Sequence, residues 1–276
     1  MRTFAADDGE PIEMRIEGEG PPVLLLHGWT ASQEEWDLLA PGLARDHRVI
    51  RWNARGHGER ALSTAAVPTV QRMARDLQNL LDRLGLAKAA FVGHSMGALT
   101  IWEYIRTHGT ARIARLCLID QSPRLLTDAA WAGGLYGDFD AARNARLLAD
   151  LRADFAEAVL RLSAHGLNAR ARANYDRDSR GWRAAREALG RLHPAPLIAT
   201  WESLSREDWR GVLPAIDVPT MLVYGGESNF YGPDTARFVH GAIAGSTLAF
   251  YEGADHSPHL ADPARFEREL RAFLCA

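Results

Sequence analysis

In Gly93-His94-Ser95-Met96-Gly97 a serine has a glycine two residues away on either side. A serine hydroxyl attacks an acyl carbon when a base takes its proton and nearby donors stabilise the charge that develops. The G-x-S-x-G spacing suits that task, because a sharp strand-to-helix turn strains the central residue and needs small flanking residues. Five residues with three fixed positions also arise by chance, so context carries the weight. The apolar run Ala89–Val92 precedes the motif and a helical pattern, Ala98–Tyr104, follows it. Ser95 is therefore expected above a sheet and at a helix N-terminus, where negative charge is stabilised.

The elements that would hold such a turn recur along the chain. Ile12 to Ile16 alternates like a half-exposed strand, and Val23–Leu26 reads as a fully buried one. Similar runs occur at Val49–Trp52, Ala89–Val92, Leu116–Ile119, Met221–Tyr224 and Leu248–Tyr251. Continuous apolar runs are what parallel strands covered on both faces look like. Between them, Val70, Met73, Leu77, Leu80, Leu81 and Leu84 follow helical spacing, and Gly85 is placed to end that helix. The last helix has Asp262 as its N-cap, Pro263 in its first turn, and Phe266, Leu270 and Phe273 on one face. Such alternation predicts a mostly parallel sheet wrapped by helices. From about Gln121 to Leu213 it breaks into Ala- and Arg-rich helical patterns without a convincing strand, with Leu147, Leu151, Phe155 and Val159 inward. A helical insertion there would cap the carboxyl edge of the sheet, where open α/β sheets bind ligands. Its arginines are interleaved with acids, so they read as a solvated face.

The chain has 276 residues, 47% of them hydrophobic, and a formal net charge of -3. At roughly 150 residues per domain, the length fits two domains or one large domain with an insertion. Near-balanced charge gives no electrostatic reason to expect nucleic acid or an anionic membrane as partner. Cys117 and Cys275 are the only cysteines, too few for a disulfide framework or a thiolate metal cluster. The opening MRTFAADDGE lacks the apolar stretch of a secretory signal, and no run of about 18 apolar residues occurs. The expected compartment is a reducing cytoplasm.

On these residues the chain resembles the α/β-hydrolase superfamily over essentially its whole length. Within it, the chain is most similar to the cofactor-free esterases, lactonases and haloperoxidase-like perhydrolases. The resemblance implies an α/β-hydrolase fold: a mostly parallel eight-stranded sheet flanked by helices, a helical cap, and a serine–acid–histidine triad in that chain order. The expected division is a core domain over 1–120 and 214–276 and a cap over 121–213. His27-Gly28-Trp29 resembles the family's oxyanion loop, which implies an oxyanion hole formed by the N–H groups of Trp29 and Met96. Two such donors contribute about 3 kcal/mol each to the transition state. His27 is expected to hydrogen-bond within that loop, and the Trp29 ring either lines the acyl side or packs in the core. Arg55-Gly56-His57-Gly58 matches a structural loop of the family, with departures at Asn53 and Arg60 that touch loop hydrogen bonding, so His57 receives no catalytic role. The family's catalytic histidine lies between the last strand and the last helix. Here that loop is Gly253-Ala254-Asp255-His256-Ser257-Pro258, which makes His256, among ten histidines, the expected base. His259 is not expected to form a metal pair with it, since Pro258 intervenes and no third ligand follows in the pattern.

The acid departs from the family's commonest pattern. Its usual position, counted from Gly225, is Ser228, which carries no charge at neutral pH. Asp120 ends the run Leu116–Ile119, 25 residues after Ser95, where a minority of the superfamily places its acid. An Asp after four apolar residues should be buried, and pairing with the His256 ring would offset that cost. Glu227 is the alternative acid, one residue short of the usual position and in need of a loop shift.

Trp131, Tyr136, Phe139, Trp182 and Trp201 in the insertion, with Phe230 and Tyr231, either pack the cap onto the sheet or face substrate. Two or three facing inward would make an apolar pocket for a small uncharged molecule. The expected function is therefore a serine hydrolase cleaving a small hydrophobic ester or lactone through an acyl-enzyme. Alternatives are a perhydrolase or C–C bond hydrolase on the same triad, or a non-catalytic receptor on a hydrolase scaffold. No metal, nucleotide or organic cofactor is implied.

Overall fold

A computed structural model describes residues 2–276. One sheet contains β1 (Arg2–Ala5), β2 (Pro11–Glu17), β3 (Pro22–Leu26), β4 (Arg48–Trp52), β5 (Ala89–His94), β6 (Ile113–Ile119), β7 (Thr220–Gly225) and β8 (Thr247–Tyr251). The spatial order is β1-β2-β4-β3-β5-β6-β7-β8. The first two pairings are antiparallel. Every later pairing is parallel. Seven strands coincide with runs read from the sequence. The eighth, β1, buries only Phe4 of its four residues, so it leaves no hydrophobic pattern to read.

Side chains alternate across a strand, so each central strand feeds two cores. Leu24, Leu26, Phe91, Leu116, Leu118 and Leu222 enter one core, which is closed by Met73 and Leu77 of α2 (Val70–Arg83) and by Leu99 and Trp102 of α3 (Met96–His108). Val23, Leu25, Val92, Cys117, Ile119 and Val223 enter the other, against Trp36 and Phe266. Each such side chain contributes about 1.5–3 kcal/mol on burial. Thr69 caps α2 by accepting the Arg72 N–H at 3.1 Å. Gly85 follows that helix at φ 63°, a left-handed turn that suits a residue without a Cβ.

Between β6 and β7 lie α4 (Ala141–Ala153), α5 (Phe155–Ala164), α6 (Ala169–Asp176), α7 (Arg180–Leu189) and α8 (Pro194–Ser205). Asp140, Asp154 and Asn168 cap α4, α5 and α6 through their side chains. This segment contains no strand among the described residues, only an isolated bridge from Asp128 to Trp131. After β7 come α9 (Pro233–Ala242), α10 (Pro258–Ala261) and α11 (Pro263–Cys275). Asp262 caps α11, as its sequence predicts, by accepting the Arg265 N–H at 3.0 Å. Because β3, β5, β6, β7 and β8 run parallel, Trp29, Ser95, Asp120 and His256 all follow carboxyl ends at one rim of the sheet. Chain order reverses across β3 and β5, making this rim the crevice where open sheets bind ligands. Both cysteines are unpaired. Among the described residues, no helix is long and apolar enough to cross a membrane.

Candidate active site

Ser95 joins β5 to α3 with φ 51° and ψ -116°, a conformation costly for a residue with a Cβ. The turn has no room for larger neighbours: a Cβ on Gly97 would lie 2.2 Å from the Leu26 carbonyl oxygen. Ser95 is thereby lifted over the end of β5, with the N-terminus of α3 beneath it.

Asp120, directly after β6, is fully buried and also has a positive φ of 46°. Its Oδ1 accepts the His256 Nδ1–H at 3.0 Å and the Ser228 hydroxyl at 2.9 Å, while Oδ2 accepts the Gly225 N–H at 2.7 Å. Three donors offset the desolvation of this carboxylate. The contact also fixes the tautomer of His256, leaving Nε2 as the proton acceptor. Ser95 and His256 line one cavity, although no hydrogen bond joins the Ser95 hydroxyl to the ring among the described residues. Glu227, the alternative acid, is exposed and pairs with Arg170 at 3.0 Å. Its side chain hydrogen-bonds Arg170, and among the described residues no hydrogen bond joins it to His256. Ser228, which carries no charge, donates its hydroxyl to Asp120.

Gly28 and Trp29 follow β3 beside the Ser95 turn. Among the described residues, neither the Trp29 nor the Met96 N–H donates to another group. His27 Nδ1 donates to the Gly28 carbonyl at 2.8 Å and its Nε2 accepts the Ala54 N–H at 3.0 Å. Burial lowers its pKa, so it is the neutral structural group expected of this loop. His57 is likewise buried and pushed down to about 3 by desolvation.

The alpha/beta hydrolase fold family matches residues 21–263. The chain belongs to that family. It is 27% identical over 280 residues to a non-heme haloperoxidase of Rhodococcus erythropolis, covering 99% of each chain. It is 25% identical to a strigolactone esterase of Arabidopsis thaliana, covering 96% of this chain and 97% of that one. An esterase structure from Exiguobacterium antarcticum superposes with a TM-score of 0.85 at 22% identity, covering 99% of both chains.

Above the serine of this hydrolase fold lies a cavity of about 380 Å³. Trp29, Trp201, Phe230 and Tyr231 line it. Leu99, Leu125, Leu135, Val159, Leu162 and Leu204 give it an aliphatic face, and Glu35, His94 and Gln121 are among the polar groups that line it as well. Trp131, Tyr136 and Trp182, read from the sequence as pocket candidates, do not line it. The Trp131 ring packs edge-on against Phe238 and its Nε1 donates to the Arg124 carbonyl at 3.1 Å. The Tyr136 hydroxyl is spent on the Leu162 carbonyl, and Trp182 packs on Tyr175 within the insertion. Trp29 bridges sheet and insertion: its ring lies 4.7 Å from that of Trp201 and its Nε1 donates to the Leu197 carbonyl at 2.9 Å.

Sequence reasoning missed Asp255 and the contact that Phe230 makes with His256. Asp255 Oδ1 accepts the N–H groups of His256 and Asn229, at 2.7 and 2.6 Å, tying the histidine loop to the loop after β7. The Phe230 ring stands edge-on to His256, with centroids 4.5 Å apart. Neither role has a sequence signal, since each depends on loops that meet only in the fold. Only Glu35, His94 and His259, among the described residues, bring three potential metal-ligand atoms within 4.8 Å of one another. His259 Nε2 hydrogen-bonds one Glu35 oxygen at 2.9 Å, and His94 Nδ1 lies 2.8 Å from the same oxygen.

Proposed function

We propose that this chain is a serine hydrolase that cleaves a small apolar carboxylic ester or lactone through an acyl-enzyme. The observation that carries the reading is the bond from His256 to the buried Asp120 at the rim that also presents Ser95. His256 Nε2 takes the Ser95 proton as Oγ adds to the carbonyl carbon, and Asp120 stabilises the resulting imidazolium. The N–H groups of Trp29 and Met96 receive the oxyanion, at about 3 kcal/mol per donor. Collapse expels the alcohol with the proton from His256, and water activated by the same ring then releases the acid. The aliphatic wall supports an uncharged acyl group, and residues 121–213 act as the cap that closes over it. Named activities among the relatives support ester hydrolysis.

Reaction with p-nitrophenyl butyrate tests the reading. A burst of nitrophenol matching enzyme concentration, lost in Ser95→Ala, is expected. Absence of turnover together with no labelling by a fluorophosphonate would instead favour a ligand-binding receptor. The haloperoxidase relative supports a second reading, with peroxide as acyl acceptor. Peracid formation from acetate and hydrogen peroxide, faster than hydrolysis of the matching ester, would carry it.

A further inference from the structure

Beside His256 lies a second cluster of ionisable groups, two of which, Glu35 and His94, line the same cavity as Ser95 and which the proposed reaction does not use. Glu35 comes from a short helical turn after the Trp29 loop, His94 ends β5, and His259 lies in α10. Their side chains are only 5%, 7% and 2% exposed. Glu35 Oε1 lies 2.8 Å from His94 Nδ1 and 2.9 Å from His259 Nε2, and Oε2 accepts the Gly28 N–H at 2.9 Å. His94 Nε2 donates to the main-chain carbonyl of His256 at 2.9 Å. The imidazole also packs under the oxyanion turn, since a Cβ on Gly28 would lie 3.0 Å from its Nδ1 and 3.5 Å from the Ser95 Cβ.

The charges follow from this packing. Burial disfavours a charged His94, but the adjacent Glu35 outweighs it and raises the pKa. Burial likewise opposes the Glu35 carboxylate, yet His94 and His259 hold it well below the usual range. His259 is pushed down to about 4, chiefly by burial, and stays neutral. His27, neutral by burial, Glu34, Asp120 and His256 are the other titratable groups facing the cluster. The two shifts favour the charged form of each group beside the other.

We propose that Glu35 and His94 form a buried ion pair that positions the reaction machinery, holding the oxyanion loop, the nucleophile turn and the main chain of the base as one unit. Glu35 grips the loop at Gly28, His94 grips His256, and Ser95 is the next residue along the chain. Both line the cavity, but their hydrogen bonds run to the Gly28 N–H and the His256 carbonyl and not to the Ser95 hydroxyl or the His256 ring, so both are assigned as positioning residues, and the role rests on the serine-hydrolase reading above.

The test uses Glu35→Gln, His94→Gln and the double variant with p-nitrophenyl butyrate, beside Ser95→Ala. Each single variant is expected to lower kcat about tenfold to a hundredfold, the scale of a misplaced reacting group, with KM within about threefold. The double variant should lose no more than the worse single, because it leaves no unpaired charge. In the wild type, kcat should fall at alkaline pH as His94 loses its proton, and both single variants should lack that step. Glu35→Asp should restore the step and part of kcat. Imidazole ¹⁵N shifts should show His94 doubly protonated at pH 7 in the wild type and neutral in Glu35→Gln. That spectrum needs only the wild type if a variant does not fold. Folded single variants with kcat within twofold of wild type would overturn the proposal. A neutral His94 in the wild type would also overturn it, as would activity lost to EDTA and restored by zinc. Retained turnover in Ser95→Ala would remove the hydrolase reading itself, whereas these other failures leave that reading standing.

Discussion

At the scale of single residues, the proposed acid Asp120 shares one carboxylate oxygen between two donors. Ser228 stands where most of the family carries its carboxylate, and its hydroxyl reaches the same oxygen of Asp120 that His256 uses. Asp120→Asn is expected to lower kcat by up to about 10⁴, because the ring loses both its orientation and its counter-charge. Ser228→Ala should cost less than about tenfold, since the Gly225 N–H and the ring still hold the carboxylate. The swap Asp120→Asn/Ser228→Asp puts a carboxylate within reach of the same ring nitrogen. It should regain more than about tenfold over Asp120→Asn alone, measured as kcat on p-nitrophenyl butyrate. Ser95 and His256 were legible because each lies in a short local pattern next to a strand. The choice between Asp120 and Glu227 stayed open because it turns on a contact between positions 136 apart in the chain.

At the scale of elements, strands and capped helices declare themselves, and loop docking does not. The apolar runs Ala89–Val92 and Leu116–Ile119 read as central strands, and Asp262-Pro263 as a helix start, and both are found so. The insertion's helices were legible too, but not the direction of their rings. A ring on a short amphipathic helix buries as well against a neighbouring helix as against a substrate, which is why Trp182 and Trp201 look alike in sequence and part in the fold. Two elements give testable consequences. Gly97→Ala would drive a Cβ against the Leu26 carbonyl, so the β5–α3 turn must shift. Urea unfolding should show a loss of about 1–3 kcal/mol, with activity falling further because the Met96 N–H moves with the turn. Asn229 accepts the Asn168 N–H at 3.1 Å and donates to the Ser163 carbonyl at 2.5 Å, stitching the loop after β7 to α5 and α6. Asn229→Ala should leave buried backbone groups unpaired at about 1–3 kcal/mol. Limited proteolysis should then cut within 121–213 faster than in the wild type.

At the scale of the whole molecule, the loops of the rim bury several histidines, and this sets how the fold answers acid. His57 is pushed down to about 3 and His259 to about 4, in both cases chiefly by desolvation, and burial lowers His27 as well. Below pH 6.5 the unfolded chain binds protons at these sites while the folded chain does not, so stability falls as pH falls. Each fully mismatched histidine contributes about 1.4 kcal/mol per pH unit. Glu35 adds to the loss further down, because its depressed pKa stabilises the fold above its ordinary value of 4.5 and ceases to do so as pH drops through the folded value. His94 acts in the opposite sense: its raised pKa gives stability that is complete below 6.5 and fades as pH climbs through the folded value. The unfolding free energy should therefore decline steeply between about pH 6.5 and 4. His57→Asn keeps a donor in place of Nδ1, which faces the Arg55 carbonyl at 3.1 Å, and removes one titrating group. Its urea-derived stability should fall less steeply by about 1.4 kcal/mol per pH unit over that range. An unchanged slope would mean that His57 binds its proton equally well in the folded chain, and that the Arg55–Gly58 loop opens before the rest of the molecule does.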